Sequence, residues 1–234
     1  IRQEGFQETD IVSIIKPITK YAVMITDSKK IKFCLEKSFY LAKEGRSGPV
    51  LLDIPMNIQR SEVNPCDLVS FYESEEYKTK KRLKVNIEDV SNLIEVIRKS
   101  ERPVILAGGG IRLAKAERKL EKLIDITGIP VVSTLMGIDC LNHEHKCYVG
   151  YMGAYGTRYS NLAVANCDLL IVLGSRLTTR QTSAITDSFA REAKIVHVDI
   201  DKNELNTKVR EDLSIECDLN SFIDKLNQYL INSH

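Results

Sequence analysis

Short apolar runs and longer amphipathic stretches alternate along most of this chain. The apolar runs are Val50–Ile54, Val104–Ala107, Ile129–Ser133, Leu169–Leu173 and Ile195–Asp199. Runs of this length with little polar interruption predict strands buried on both faces. Between them, apolar residues recur every three or four positions, the helical period. One helix is predicted over about 29–43, with Ile31, Leu35, Phe39 and Ala42 in its stripe, Asp27 or Ser28 before it and Gly45 as its stop. A second covers about 87–99, with Val90, Leu93, Ile94 and Ile97 on one face. A third runs from the glycines at 108–110 to about Thr127, carries Leu113, Leu120, Leu123 and Ile124, and is closed by Gly128. Shorter helices are predicted at 159–166 and 221–230, an extended run within 17–25, and a glycine- and tyrosine-rich loop over Val149–Thr157. Strands alternating with helices predict an α/β fold, a parallel sheet flanked by helices.

The pattern is interrupted at residues 57–84. Asn64-Pro65 breaks the chain, and Glu73 to Arg82 is a charge run of low apolar content, read as a solvated linker. The expected organisation is a partial α/β domain over 1–60, a linker over 61–84 and a second α/β domain over 85–234. Of the 234 residues 43% are hydrophobic, enough for a real core, and a net charge of +1 with mixed signs argues against a nucleic-acid or anionic-membrane surface. No apolar run approaches the roughly 18 residues of a membrane span. Six scattered cysteines without a C-x-x-C pair read as free thiols of a reducing cytosol, so a cytoplasmic location is expected. The chain opens on Ile1 within loop-like sequence, which reads as a fragment of a longer protein. His143-Glu-His-Lys-Cys147 has its histidines two apart, poorly placed for one metal on either a helix or a strand, so no metal site is expected.

In an open parallel sheet, ligands sit beyond the carboxyl ends of the strands, so the residues just past each strand carry the candidate chemistry. Gly108, Gly109 and Gly110 follow one strand and read either as a tight turn or as a backbone cradle for an anion. The dinucleotide fingerprint G-x-G-x-x-G is not met, because Leu113 occupies its third glycine position. Thr134 and Leu135 follow the next strand. Gly174 and Arg176 follow Leu169–Leu173, with Arg180 four residues on, where a helical turn would aim both guanidiniums one way; they read as pyrophosphate ligands or as surface arginines. Asp199 and Asp201 stand past the last apolar strand, as ligands of ribose hydroxyls or an adenine amine, or as helix caps. Together these groups point to an extended nucleotide. No nucleophile–base pair, G-x-S-x-G or P-loop is readable.

Six segments in order carry a resemblance: Gly5-Phe-Gln-Glu-Thr-Asp10, Lys16-Pro-Ile-Thr-Lys20, Gly45-Arg-Ser-Gly-Pro-Val-Leu-Leu-Asp-Ile-Pro55, Arg102-Pro-Val-Ile-Leu-Ala-Gly-Gly-Gly110, Ala165 to Arg176, and His197-Val-Asp-Ile-Asp201. The chain resembles the thiamine-diphosphate-dependent decarboxylases and carboligases, most of all the acetolactate (acetohydroxyacid) synthase large subunit. The resemblance implies the end of a pyrimidine-binding domain followed by a Rossmann-like central domain. In the parent enzyme it implies thiamine diphosphate with Mg2+, bound across a dimer or tetramer, decarboxylating a 2-keto acid such as pyruvate and joining the remainder to an acceptor. It places the activating glutamate and the pyrophosphate-binding domain outside this chain, so the fragment alone is expected to be inactive. It places Phe6 and Gln7 near a substrate entrance. In family members that keep FAD, the resemblance places the flavin nucleotide on Gly108, Gly109, Gly110, Thr134, Leu135, Gly174, Arg176, Arg180, Asp199 and Asp218, and retention of FAD here is left open. The chain departs from frequent family patterns at Pro55-Met-Asn-Ile-Gln59, Gly150-Tyr-Met-Gly153 and Leu177-Thr-Thr-Arg180, leaving other keto acids or acceptors open. Two rival readings stand beside it: a non-catalytic FAD-binding or docking scaffold, and an NAD-dependent enzyme, which Leu113 argues against.

Overall fold

A computed structural model describes residues 8–80 and 83–232. The chain divides into two compact units, Ile1–Arg82 and Leu83–His234.

In the first unit, strands β1 (Tyr21–Met24) and β2 (Val50–Asp53) pair in parallel, with Tyr21 opposite Val50 and Met24 opposite Asp53. Helix α1 (Ile31–Lys43) connects them. Its buried residues are Cys34 and Ser38, whereas Leu35 and Phe39 of the predicted stripe are exposed. The reason lies on the neighbouring face of the helix. Phe33 and Tyr40 hold the fully buried Phe71, with ring centroids 5.5 and 5.6 Å apart, and the Glu36 carboxylate accepts from the Ser70 hydroxyl and the Phe71 amide at 2.6 and 2.8 Å. Of the stretch read as a linker, Ser70–Tyr77 therefore lies along α1, and residues up to Arg82 group with the first unit.

The second unit is an all-parallel six-stranded sheet. Its strands are β3 (Pro103–Ala107), β4 (Val131–Ser133), β5 (Tyr148–Tyr151), β6 (Leu169–Leu173), β7 (Lys194–Asp199) and β8 (Leu213–Glu216). They lie in the order β5-β4-β3-β6-β7-β8. Two of these, β5 and β8, were not expected. The order runs outward from β3 in one direction and from β6 in the other, the doubly wound arrangement, with its reversal between β3 and β6.

Both sheet faces are covered, as continuous apolar strands require. Ile105, Ala107, Leu169, Ile171, Leu173, Val196 and Val198 pack on one side against helices α2 (Ile87–Lys99), α3 (Glu117–Thr127) and α5 (Leu219–Asn232). The alternate residues Val104, Leu106, Leu170, Val172 and Ile195 face the other side, with Val164 of α4 (Arg158–Asn166) and Phe189. Helix α2 follows the expected register: Asn86 caps it by accepting the Glu88 amide, Val90, Leu93 and Ile94 are buried, and Arg98 and Lys99 sit at the negative end of its dipole. The predicted helix from the glycines to Thr127 is instead two. The first turn ends at Leu113, Lys115 takes a left-handed φ of 54°, and α3 starts at Glu117. Leu113, expected in the core, is consequently 70% exposed. Gly128 ends α3 at φ 67°, as expected.

At the amino ends of β3 and β6, Asp168 accepts from the Ser100 hydroxyl and from the backbone amides of Glu101 (2.8 Å) and Arg102 (2.9 Å). The Ser100 hydroxyl does most to hold this carboxyl down, to about 2, and the two amides add to it. A depressed carboxylate stabilises the fold fully above its unfolded value of about 3.9 and loses that contribution as pH falls through about 2. Asp168→Asn should therefore lower the unfolding midpoint in denaturant at pH 7. The gap from the parent protein should narrow below about pH 4 and close near pH 2; a gap independent of pH would contradict this role.

Candidate functional site

Because every strand of the sheet is parallel, the loops after β3, β4, β6 and β7 open on one rim, and the reversal of strand order places a crevice between the ends of β3 and β6. Glycines build that crevice. A Cβ on Gly108 would stand 2.1 Å from the Gly174 carbonyl oxygen, and one on Gly110 would stand 2.7 Å from the Gly174 Cα. The two loops touch backbone to backbone, which only glycine permits. Gly174 itself has φ 63°, and a Cβ there would meet the Leu219 side chain at 2.6 Å. Two hydrogen bonds cross the contact, from the Gly108 amide to the Leu173 carbonyl (2.9 Å) and from the Gly110 amide to the Gly174 carbonyl (3.0 Å), while the Gly174 amide donates to Val198 of β7 (2.9 Å).

This corrects one reading of the glycines. The amides of Gly108 and Gly110 are spent on the neighbouring loop and do not face a ligand, so these two residues act as spacers. Gly109 stands apart. A Cβ there would meet Met136 of the loop after β4, and its amide has no partner among the described residues. In that loop Thr134 is buried and donates its amide to Ala107 at 2.9 Å, while Leu135 and Met136 project outward, 54% and 63% exposed.

The loop after β6 carries the charge. Arg176 and Arg180 are both exposed, and no carboxylate among the described residues pairs with either. They do not share a helical turn, as had been expected from their spacing. Leu177 intervenes at φ 46° with its side chain buried, and the helical turn starts only at Thr179. The segment from Gly174 to Ser183 forms an arch with strained residues within and at its far end, Ser183 having φ 64°. Strain of this kind persists where surrounding contacts enforce it. Here the Arg176 carbonyl accepts from the Lys208 ammonium at 2.9 Å, the Thr178 amide donates to the Gln181 side chain at 2.8 Å, and the Arg180 carbonyl accepts from the Ala154 amide at 2.8 Å.

Asp199 ends β7 in a buried position, and one of its oxygens accepts the Asp201 amide at 2.9 Å. Asp201 in turn caps the turn Lys202–Glu204, accepting the Asn203 amide. Asp218 accepts the amide and hydroxyl of Ser221 at 2.9 and 2.8 Å at the start of α5, a capping role. Close by, His197 Nδ1 and a Glu211 carboxylate oxygen lie 2.6 Å apart, both side chains within 1% of full burial. Burial pushes the Glu211 carboxyl up, but the bonds from His197 and from the Ser214 hydroxyl outweigh it and leave it below the usual carboxylate range.

The structure thus brings Gly108, Gly109, Gly110, Thr134, Leu135, Gly174 and the two arginines to one rim, with Asp199 and Asp218 at its β7–β8 end. Phe6 and Gln7 lie outside the described residues. Sequence reading missed Lys208 and also Asn161, whose side-chain amide brackets Gly153 by accepting from its nitrogen (2.9 Å) and donating to its oxygen (3.1 Å). Nothing in their sequence context marks either one. The histidines of the 143–147 segment are occupied separately. His143 stacks on Tyr148 and bonds the Ile138 carbonyl at 2.7 Å, and His145 faces Asp125.

Two stability outcomes follow from these contacts. Gly108→Ala drives a methyl into the Gly174 backbone and should cost about 3 kcal/mol in equilibrium unfolding. Glu211→Ala leaves His197 without its buried partner and should cost a similar amount, about 3 kcal/mol. A loss below about 0.5 kcal/mol, no more than an ordinary surface change, would contradict the packing described for that residue.

Comparison with known proteins agrees with this architecture. Residues 90–226 match the family described as thiamine pyrophosphate enzyme, central domain. The chain is 34% identical over 227 residues to the acetolactate synthase large subunit of Cyanidium caldarium, an alignment that covers 97% of this chain and 39% of that protein. It is 36% identical over 233 residues to a probable acetolactate synthase large subunit of Methanocaldococcus jannaschii, covering 99% of this chain and 39% of the relative. To a probable chloroplastic acetolactate synthase 2 of Oryza sativa it is 37% identical over 231 residues, 98% of this chain and 34% of that one. The chain therefore spans well under half the length of these curated relatives. By its doubly wound second unit and this match, the chain belongs to the thiamine pyrophosphate enzyme family and carries that family's central domain.

Proposed function

We propose that this chain is the central portion of a thiamine-diphosphate-dependent carboligase of the acetolactate-synthase type, and that its sheet rim holds the pyrophosphate of a bound FAD. The domain reading that goes with it places 1–60 at the end of a pyrimidine-binding domain and 85–234 in the central domain. One observation carries the cofactor reading: two exposed arginines, with no carboxylate partner among the described residues, stand on the loop after β6 at the switch point, where the loops after β3 and β6 are fixed by backbone contact. Guanidinium forks suit phosphate oxygens, and an unpaired pair beside a crevice fits a diphosphate better than a neutral ligand.

The residues divide the work. Arg176 and Arg180 would bind the two phosphates, and the Gly109 amide would add a backbone donor. Asp199, with one oxygen already on Asp201, would take a ribose hydroxyl on the other. Exposed Leu135 and Met136 would offer an apolar flank to a ring system. Thiamine diphosphate with Mg2+, when bound, supplies the carbanion chemistry that decarboxylates a keto acid such as pyruvate and joins the product to an acceptor. The assembly that does this is proposed to be a dimer or tetramer and to include parts that the relatives possess beyond the aligned third or so of their length.

Two assays test this. FAD titrated into the protein should quench its flavin fluorescence, and Arg176→Ala should weaken binding about tenfold or more, the loss of a charge-assisted contact. The parent chain failing to bind FAD would remove the cofactor reading. Incubated alone with pyruvate, thiamine diphosphate and Mg2+, the chain should release no carbon dioxide, and turnover would refute its assignment as a portion of the catalytic unit.

A further inference from the structure

The arginine arch raises a question that its own sequence does not answer. Arg176 and Arg180 stand on a segment with Leu177 in the left-handed region between them, and such a residue relaxes unless the flanking backbone is held. The hold comes from outside the arch, at both ends.

At the near end, the Lys208 ammonium donates to the Arg176 carbonyl at 2.9 Å and pairs with the Glu204 carboxylate. Lys208 is itself well placed. Val209 beside it is buried, and Glu211 three residues on is locked to His197, so the loop returning from β7 is pinned at its exit. The Asp201 cap fixes its entry. A lysine whose ammonium is shared between a carboxylate and a backbone carbonyl has few donors left for a ligand, and only its reach to the carbonyl touches the arch. At the far end, Asn161 of α4 brackets Gly153 on both its amide and its carbonyl. Gly153 (φ 112°) lies where a Cβ would stand 2.7 Å from the Arg180 carbonyl oxygen, and that oxygen accepts the Ala154 amide. Loops from strands on opposite sides of β6 thus grip the backbone of one arginine each.

We propose that Lys208 and Asn161 are positioning residues for the anion site: they touch no ligand, and they set the two guanidiniums by fixing the carbonyls of Arg176 and Arg180. This rests on the reading of the rim as a pyrophosphate site. In its terms, affinity for a nucleotide diphosphate depends on two residues whose side chains point at protein backbone.

The test uses the full chain and FAD and ADP as probes, with Kd measured by titration calorimetry. Lys208→Met should weaken both probes about tenfold, the scale of one charged hydrogen bond acting through its neighbour. Lys208→Arg, which can still reach the carbonyl, should restore most of that loss. In the Arg176→Ala background, Lys208→Met should cost less than about twofold, because the group it positions is gone. Asn161→Leu should behave the same way toward Arg180→Ala. Equal losses in both backgrounds would mean that Lys208 contacts the ligand or supports the fold generally, and either result overturns the proposal. Unchanged affinity in Lys208→Met while the parent chain binds well overturns it too, leaving the pyrophosphate site standing. If the parent chain binds neither probe, the site reading falls and this inference with it. Should Lys208→Met fold poorly by circular dichroism, Glu204→Gln gives the second variant. It frees the ammonium from its carboxylate without removing the carbonyl contact, and affinity should then change less than about threefold; a tenfold loss would contradict the tether.

Discussion

The second unit depends on one constraint: two loops meet backbone to backbone at the point where strand order reverses. Gly108 and Gly110 on one side and Gly174 on the other leave no room for a β-carbon, and two amide bonds cross the gap. Most of what lies on the rim is placed by this contact. It sets the spacing between β3 and β6 at their carboxyl ends, fixes where the loop after β6 begins, and seats Leu219 at the start of α5 against Gly174. A parallel sheet covered on both faces has little freedom left once its central pair is fixed, because the remaining strands add outward from it in register. The geometry of the candidate site is thus inherited from the packing of the core.

That inheritance has an electrostatic side. Arginines at strand ends commonly settle onto nearby carboxylates, and carboxylates are present on this rim at Asp199, Asp201, Glu204 and Asp218. Each has work elsewhere: Asp199 and Asp201 on backbone amides of their own turn, Glu204 on Lys208, Asp218 at the cap of α5. Arg176 and Arg180 are left exposed on an arch that carries a left-handed leucine, with no carboxylate partner among the described residues. Under the proposed function, the anion that would complete them is a diphosphate.

Much of this was legible in the chain. Continuous apolar runs announced the buried central strands, and the three-four spacing of Val90, Leu93 and Ile94 announced α2 over its observed range. Strands β5 and β8 were not legible, for physical reasons. Tyr148–Tyr151 contains a glycine at φ 132° and no apolar run, and Leu213–Glu216 is a half-exposed edge strand whose alternation is too short to read. The break at Lys115 and the turn at Leu177 were hidden because both put an ordinary side chain where glycine is the usual signal. The charge run at 73–82 concealed its anchor. The aromatic residues Phe71 and Tyr72, just before that run, and Tyr77, inside it, pack together and against α1, and aromatic residues in a polar stretch were the available clue. The strand-end rule pointed to the rim, and the resemblance supplied candidate residues on it. Neither could reach Lys208 or Asn161, whose contacts are with backbone groups of other loops and leave no mark in residue type.

The absent third glycine of the dinucleotide fingerprint has a structural meaning beyond a failed pattern. In that fingerprint the first helix runs on from the glycine loop, the third glycine lets it pack closely on the strand, and its dipole and amides meet the pyrophosphate. Here the helix stops after one turn, Leu113 points into solvent where close packing would have required glycine, and the amides of Gly108 and Gly110 turn sideways to Leu173 and Gly174. With the Gly108 and Gly110 amides engaged, the proposed site would draw most of its positive charge from side chains. In that proposal the arginines on the loop after β6 supply it, and contacts from the neighbouring loops hold that loop at both ends. A diphosphate would then be gripped by guanidiniums rather than cradled by the glycine amides.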